Sequence, residues 1–265
     1  MTLKKLTQLE ESIYNQGERL IPGVTHDLAQ FIRHRSSYMF FRRVIENDLA
    51  FMREEFSPIR IVDLGCGVGH GCSTLADIQN SQITGVDISP ESLKYARRYY
   101  TRRNITYQLA NLIEFIATMP EYDYVTARNV LEHIPNGLIL SREAKWRHRF
   151  LFDVPYNEPP GRNPHHFVHH IREDIFAQWP NTELFFQDME GAIYDTDHKP
   201  PNTNIMVCVC SRPGLPRVAE SIRFPVLAWQ PGLRLRLKSL SVEQVKISGR
   251  LTLSKCYRLL KIFKG

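Results

Sequence analysis

The 265-residue sequence predicts an α/β fold: a sandwich with a mainly parallel sheet of seven strands, preceded by a helical leader and followed by a basic extension. Three observations carry this. Short apolar runs alternate with stretches of helical period along most of the chain. A glycine-rich stretch, residues 61–71 (IVDLGCGVGHG), stands directly behind the first run, where a strand-to-helix turn lets bare backbone approach a ligand. An aspartate, Asp87, closes the second run (ITGVDIS) at the same edge.

Over residues 26–56, Leu28, Phe31, Ile32, Met39, Phe40, Val44, Leu49 and Met52 recur at helical spacing with charge between them. This predicts a helix, broken near Arg35-Ser36-Ser37. Residues 60–64 form the first strand and 69–78 the helix behind the glycine turn. Residues 81–86 are the second strand, after which Ser89 caps a helix that has Pro90 at its first position. Strands follow at 105–110, 123–127 and 149–154. A helix over 173–179 then precedes strands at 183–187 and 204–210. No internal repeat interrupts this order.

With 43% hydrophobic residues, the chain can bury one full core and still carry extensions. Residues 1–56 read as a helical lid, 57–212 as the main domain and 213–265 as the extension. The N-terminus is charged and lacks an apolar leader, and no run approaches the roughly 20 apolar residues of a membrane span, so a cytoplasmic protein is expected. Five cysteines are an odd number, and Cys208-x-Cys210 lies in a strand-like run (NIMVCVC), which favours reduced structural thiols. Of 34 Lys and Arg and 28 acidic residues, 12 and two fall within 211–265, leaving 22 basic and 26 acidic residues before it. The body is slightly acidic and the tail strongly basic. Leu233 to Leu240 alternates like a strand, and Lys255, Arg258, Lys261 and Lys264 recur three apart among aliphatics, as on a short amphipathic helix. Such a tail suits an anionic membrane surface at the inner face, a partner protein, or its own domain or a second subunit.

The glycine spacing separates two ligand classes. A dinucleotide turn needs glycines at i, i+2 and i+5, and the third place holds His70 or Cys72, depending on the start. The pattern present, Asp63-x-Gly65-x-Gly67-x-Gly69, resembles the first motif of class I S-adenosylmethionine-dependent methyltransferases, which have a three-layer Rossmann-like fold. That resemblance implies that Asp63 and the glycine backbone hold the amino-acid end of S-adenosyl-L-methionine. It places Asp87 on the ribose hydroxyls, Ile88 over the adenine, and Asn111 and Leu112 beside the adenine amine. Residues 122–136 (YDYVTARNVLEHIPN) resemble the family's fourth-strand segment, which adds Asn129 to the cofactor contacts.

The stretches GERLIPG and HRSSYMFF resemble the leader of methyltransferases found among glycan-assembly proteins. The loop after the fifth strand, FDVPYNEPPGRNPHHFVHH, offers Tyr156, Glu158, His165, His166, His169 and His170 beside the methyl donor. Read with Glu132-His133, it resembles the magnesium or manganese site of RNA 3′-terminal 2′-O-methyltransferases and ubiquinone-pathway O-methyltransferases. The resemblance makes Glu132, His133 and His166 candidate ligands for Mg²⁺ or Mn²⁺, with Asn129 where those families carry a first glutamate. Two alternatives stand beside a metal: an imidazole acting as general base, and a Glu-His pair that only caps a helix start. His133, His165, His166, Tyr156 and Glu158 are the candidate acceptor-site groups.

These features point to O-methylation of a sugar hydroxyl in a nucleotide- or lipid-linked glycan precursor, by a monomer or homodimer. An RNA end-methylating enzyme and a non-catalytic scaffold are the alternatives. The scarcity of aromatics among the tail's basic residues argues against nucleic acid, and the intact motif argues against a scaffold.

Overall fold

The computed structural model describes residues 6–17, 19–22, 24, 28–52 and 58–227. The tail readings (Leu233 to Leu240, Lys255 to Lys264 and Cys256) lie outside the described residues, as does Glu18 of the leader.

After a capped helix α1 (Gln8–Asn15) and a long α2 (Leu28–Met52), the chain alternates β1 (Ile59–Leu64), α3 (His70–Leu75), β2 (Ser81–Asp87), α4 (Pro90–Tyr99), β3 (Ile105–Leu109), α5 (Leu112–Thr118) and β4 (Tyr122–Arg128). It continues through α6 (Gly137–Ser141), β5 (Trp146–Pro155), β6 (Thr182–Gln187), β7 (Ile193–Tyr194), β8 (Ile205–Ser211) and α7 (Val218–Ser221). The sheet order is β3-β2-β1-β4-β5-β8-β6-β7. The first five of these strands pair in parallel; β8 runs antiparallel between β5 and β6. Strand order reverses at β1 and β4, so their carboxyl ends open the crevice where such sheets bind ligands.

Alternation along each strand builds two cores. Ile61, Tyr124, Leu151 and Val207 face α2 and α3, against Phe40, Phe41, Val44, Ile45 and Leu75. Their neighbours Val62, Val125, Phe152 and Cys208 face α5 and α6, against Leu112, Phe115, Ile116 and Leu138. Cys66, Cys72, Cys208 and Cys210 are buried thiols, in keeping with the reduced reading.

Three expectations need correction. The sheet has eight strands, because the two-residue β7 pairs with β6 through Phe186 and Gln187 and is too short for a periodic signal. α2 runs unbroken through Arg35-Ser36-Ser37: the Ser36 hydroxyl donates to the Gly191 carbonyl and Ser37 Oγ accepts from Gln187 Nε2, so neither serine competes for its own helix backbone. The helix expected at 173–179 is a single 3₁₀ turn, Glu173–Phe176. Among the described residues, no helix is long and apolar enough to cross a membrane.

Candidate active site

β1 delivers Asp63 to the crevice, fully buried. Its carboxylate accepts from Thr126 Oγ1 (2.8 Å), the Tyr38 hydroxyl (3.1 Å) and the Cys72 thiol (3.3 Å), tying β4, α2 and α3 together beneath the glycine turn. This corrects the expectation that Asp63 meets the cofactor directly, because the packing of α2 lays Tyr38 over it. Burial pushes its pKa up to about 6, against the pull of its three donors and with a smaller push from Asp87. Between the ordinary value of 3.8 and about 6 the folded chain therefore keeps a proton that the unfolded chain has lost, and stability falls as pH rises through that window. In Asp63→Asn this slope disappears. The stability difference between wild type and variant, from urea unfolding at several pH values, should shrink by about 3 kcal/mol across the window; a pH-independent difference would contradict this origin.

The glycines behind Asp63 all have positive φ, 67° at Gly65, 53° at Gly67 and 88° at Gly69. A Cβ at Gly65 would lie 2.3 Å from Val130, whereas one at Gly67 would meet nothing within 4 Å. Gly65 is thus required by packing, while Gly67 bares backbone to open space. Asp87 steadies the turn: its two oxygens accept from the Gly67 N–H (2.8 Å) and the Ser89 N–H (2.9 Å), and Arg19 of the leader lies 3.9 Å away.

Along the ends of β2 and β3, Ile88, Leu109 and Ile113 are exposed at 59%, 54% and 47%. Each leaves an apolar side chain in solvent at that edge. Asn111 caps α5, its Oδ1 accepting from the Ile113 N–H (2.9 Å). Leu112 turns into the core, so it can offer the ligand only backbone; Ile113, one helical step on, supplies the exposed side chain missed in the sequence.

At the end of β4, Asn129 adopts a left-handed conformation (φ 43°) held by its N–H on Asp153 Oδ1 (2.9 Å). Its own Oδ1 is buried with no hydrogen-bond partner. A 3₁₀ turn (Leu131–His133) then sets down Glu132 and His133. Each of Glu132, His133 and His166 brings a ligand atom within 4.8 Å of the other two, with Glu132 and His166 buried.

Two acceptors orient these histidines. His133 Nδ1 lies 3.1 Å from the His165 carbonyl, and His166 Nδ1 lies against Glu158 Oε2. Nδ1–H donation in both makes Nε2 the lone-pair nitrogen, which in His166 accepts from the Asn163 amide (3.0 Å), a contact that a cation would displace. A buried carboxylate and two imidazoles so oriented form a donor set that fits a divalent cation.

The rest of the loop divides. The histidines are not on a helix, so no i, i+4 face forms. His165 contributes its carbonyl to His133, and its side chain is exposed. His170 leaves the cluster, its Nδ1 lying 3.4 Å from Asn157 Oδ1. The Tyr156 hydroxyl lies 3.1 Å from Glu173 and accepts from Lys199 Nζ (2.6 Å).

Tyr156, Glu158 and His166 line a cavity of about 170 Å³ together with Gln30, Arg33, His34, Arg128, Asn129, Arg162, Asn163, Thr203 and Asn204. Of the arginines, only Arg162 belongs to the loop read from the sequence. Arg128 ends the same strand as Asn129 on the α2 face, and a lone arginine closing an apolar run was the one signal of it. Burial, helped by the charge of Arg128, pushes His70 down to about 3 and His34 well below the usual histidine range, so both imidazoles are neutral.

Residues 32–156 match the methyltransferase-domain family. The chain is an S-adenosylmethionine-dependent methyltransferase. Among its curated relatives, the ubiquinone biosynthesis O-methyltransferase of Xanthomonas campestris pv. campestris is 27% identical over 172 residues, 56% of this chain and 72% of that one. The protein of the same description from Thiobacillus denitrificans is 32% identical over 80 residues, 29% of this chain and 34% of that one. Among solved structures, WbdD aligns with a TM-score of 0.52 at 17% identity, covering 75% of this chain and 46% of that longer one; this is a likeness of fold. The cofactor of the methyltransferase is S-adenosyl-L-methionine.

Proposed function

We propose that this methyltransferase methylates a hydroxyl of a vicinal diol on a sugar, in a nucleotide- or lipid-linked glycan precursor, at a site where Glu132, His133 and His166 hold Mg²⁺ or Mn²⁺. The observation that carries the reading is the convergence of those three side chains beside a cavity lined by hydroxyl, amide and guanidinium groups. The curated relatives are described as O-methyltransferases, which supports oxygen as the acceptor atom. The polar lining favours a polyhydroxylated acceptor over an apolar ring.

A divalent cation bound there would lower the pKa of a coordinated hydroxyl. The remaining work belongs to the chain. Glu158 keeps the proton of His166 on Nδ1, and the His165 carbonyl does the same for His133. The Gly67 backbone and Asp87 set the donor sulfonium at the β1–β2 edge, so that the acceptor oxygen, coming from the β5–β8 side, meets the methyl group in line.

Calorimetry tests both halves. S-adenosylhomocysteine should bind the EDTA-treated protein, and Mn²⁺ should then give a separate heat. Glu132→Gln should abolish that heat and Glu158→Gln should weaken Mn²⁺ by about 10- to 100-fold, each leaving S-adenosylhomocysteine affinity intact. Methyl transfer to nucleotide sugars that exceeds transfer to an aromatic diol would support the sugar acceptor, and the reverse order would sink it. Activity that survives EDTA but is lost in His166→Ala and Glu158→Gln would make His166 a general base with Glu158 behind it, and no metal centre.

A further inference from the structure

The Arg128 side chain is 2% exposed, yet its Nε and Nη1 have no hydrogen-bond partner. Asp153 approaches Nε only to 3.5 Å, too far for a good hydrogen bond. Burying donors without acceptors is costly, and more so when the group is charged. The fold accepts that cost at the wall of the cavity, where Arg33 and Arg162 also stand. The one carboxylate in the lining, Glu158, is engaged by His166 and lies 3.9 Å from Arg162. Three guanidiniums therefore share two carboxylates, the committed Glu158 and, behind Arg128, Asp153, and the two imidazoles beside Arg128 stay neutral. A planar fork with spare N–H groups at the end of a polar cavity is a receptor for an oxyanion.

We propose that this end of the cavity is an anion subsite for the acceptor, in which Arg128, flanked by Arg33 and Arg162, takes a phosphate or carboxylate group carried by the molecule to be methylated. The inference rests on the functional reading above and narrows it to anionic acceptors. Pro155, Thr203, Asn204 and Ile205, at the ends of β5 and β8, line this cavity and Gly65, Gly67 and Gly69 do not, so it opens towards the acceptor side, although Arg128 also stands near His70, the residue after Gly69. The anion would then sit on the acceptor side of the cation ligands, beyond Asn129 and His166.

The test is calorimetric, on the full chain saturated with S-adenosylhomocysteine, in EDTA so that no cation can hold the anion. Inorganic pyrophosphate, inorganic phosphate and acetate are titrated in turn, and the tightest of the three tells a phosphorylated acceptor from a carboxylated one. Arg128→Gln should lower the affinity for that anion at least tenfold and leave S-adenosylhomocysteine binding within twofold. Arg33→Gln should weaken the anion severalfold, and it carries the test by itself if Arg128→Gln fails to fold. The absence of anion binding in the wild type would overturn the proposal. So would an equal loss of S-adenosylhomocysteine affinity in Arg128→Gln, which would assign the guanidinium to the cofactor. Arg128-dependent anion binding in a wild type that does not bind S-adenosylhomocysteine would instead overturn the methyltransferase reading and leave the anion site standing.

Discussion

Arg149→Leu should lower the unfolding free energy by about 3–5 kcal/mol, the cost of stranding one member of a buried ion pair. Arg149 is fully buried in β5, and its Nε and Nη2 donate to both oxygens of Asp48 in α2 at 2.7 and 2.8 Å. It also donates to Ser211 Oγ at the end of β8 and, at 2.7 Å, to the Pro216 carbonyl. One guanidinium thus joins the longest helix to the middle of the sheet and to the chain leaving it. Its loss leaves the Asp48 carboxylate in the core without its cation. Burial already raises the Asp48 pKa despite Arg149, so the variant should take up a proton there on folding. The double change Asp48→Leu with Arg149→Leu should recover much of the loss, since an apolar pair needs no solvation. Urea unfolding measures all three proteins. A single-variant loss below about 1 kcal/mol would show that the pair contributes no more than one at the surface.

Gly67→Ala should abolish cofactor binding with little harm to the fold, while Gly65→Ala should do the reverse. At Gly67 the alanine methyl meets nothing of the protein within 4 Å, so folding bears only the left-handed backbone, about 1–2 kcal/mol. The same methyl enters the space that the cofactor must approach, and S-adenosylhomocysteine affinity should fall at least about 100-fold, near 2.7 kcal/mol. At Gly65 the methyl lies 2.3 Å from a Val130 side chain that has few rotamers to escape into, so the clash falls on the folded state. Titration of both variants with S-adenosylhomocysteine, beside their unfolding curves, separates the two roles. Equal affinity losses at equal stability losses would mean that the turn acts only as a structural unit.

Alternation of short apolar runs with helical stretches was enough to place seven of the eight strands, because burial on both faces of a parallel sheet writes itself into each run. The glycine spacing and Asp87 were legible for a related reason: a turn that bares backbone to a ligand demands particular residues at particular intervals. Glu132, His133 and His166 came together as the family resemblance implied, although His166 is more than thirty residues from the pair and only the loop's return brings it within 4.8 Å of them.

Other features had no local signature. Ser36 and Ser37 looked like a helix break until their hydroxyls met Gly191 and Gln187, about 150 residues on. Leu112 and Ile113 are chemically alike, and only the phase of α5 against the sheet decides which is core and which is exposed. Asp63 looked like a ligand group, and the donors that Tyr38, Cys72 and Thr126 bring to it made it a buried anchor. Arg128 was one arginine among many, and its role arises because β4 ends under α2, where its neighbours leave two of its nitrogens unbonded. The sequence by itself determined the alternating architecture and the glycine turn, since each is a periodicity or a spacing along one chain. The tertiary structure decided which polar groups are satisfied inside and which remain open to a ligand, because that depends on what packs against them from far away in the chain.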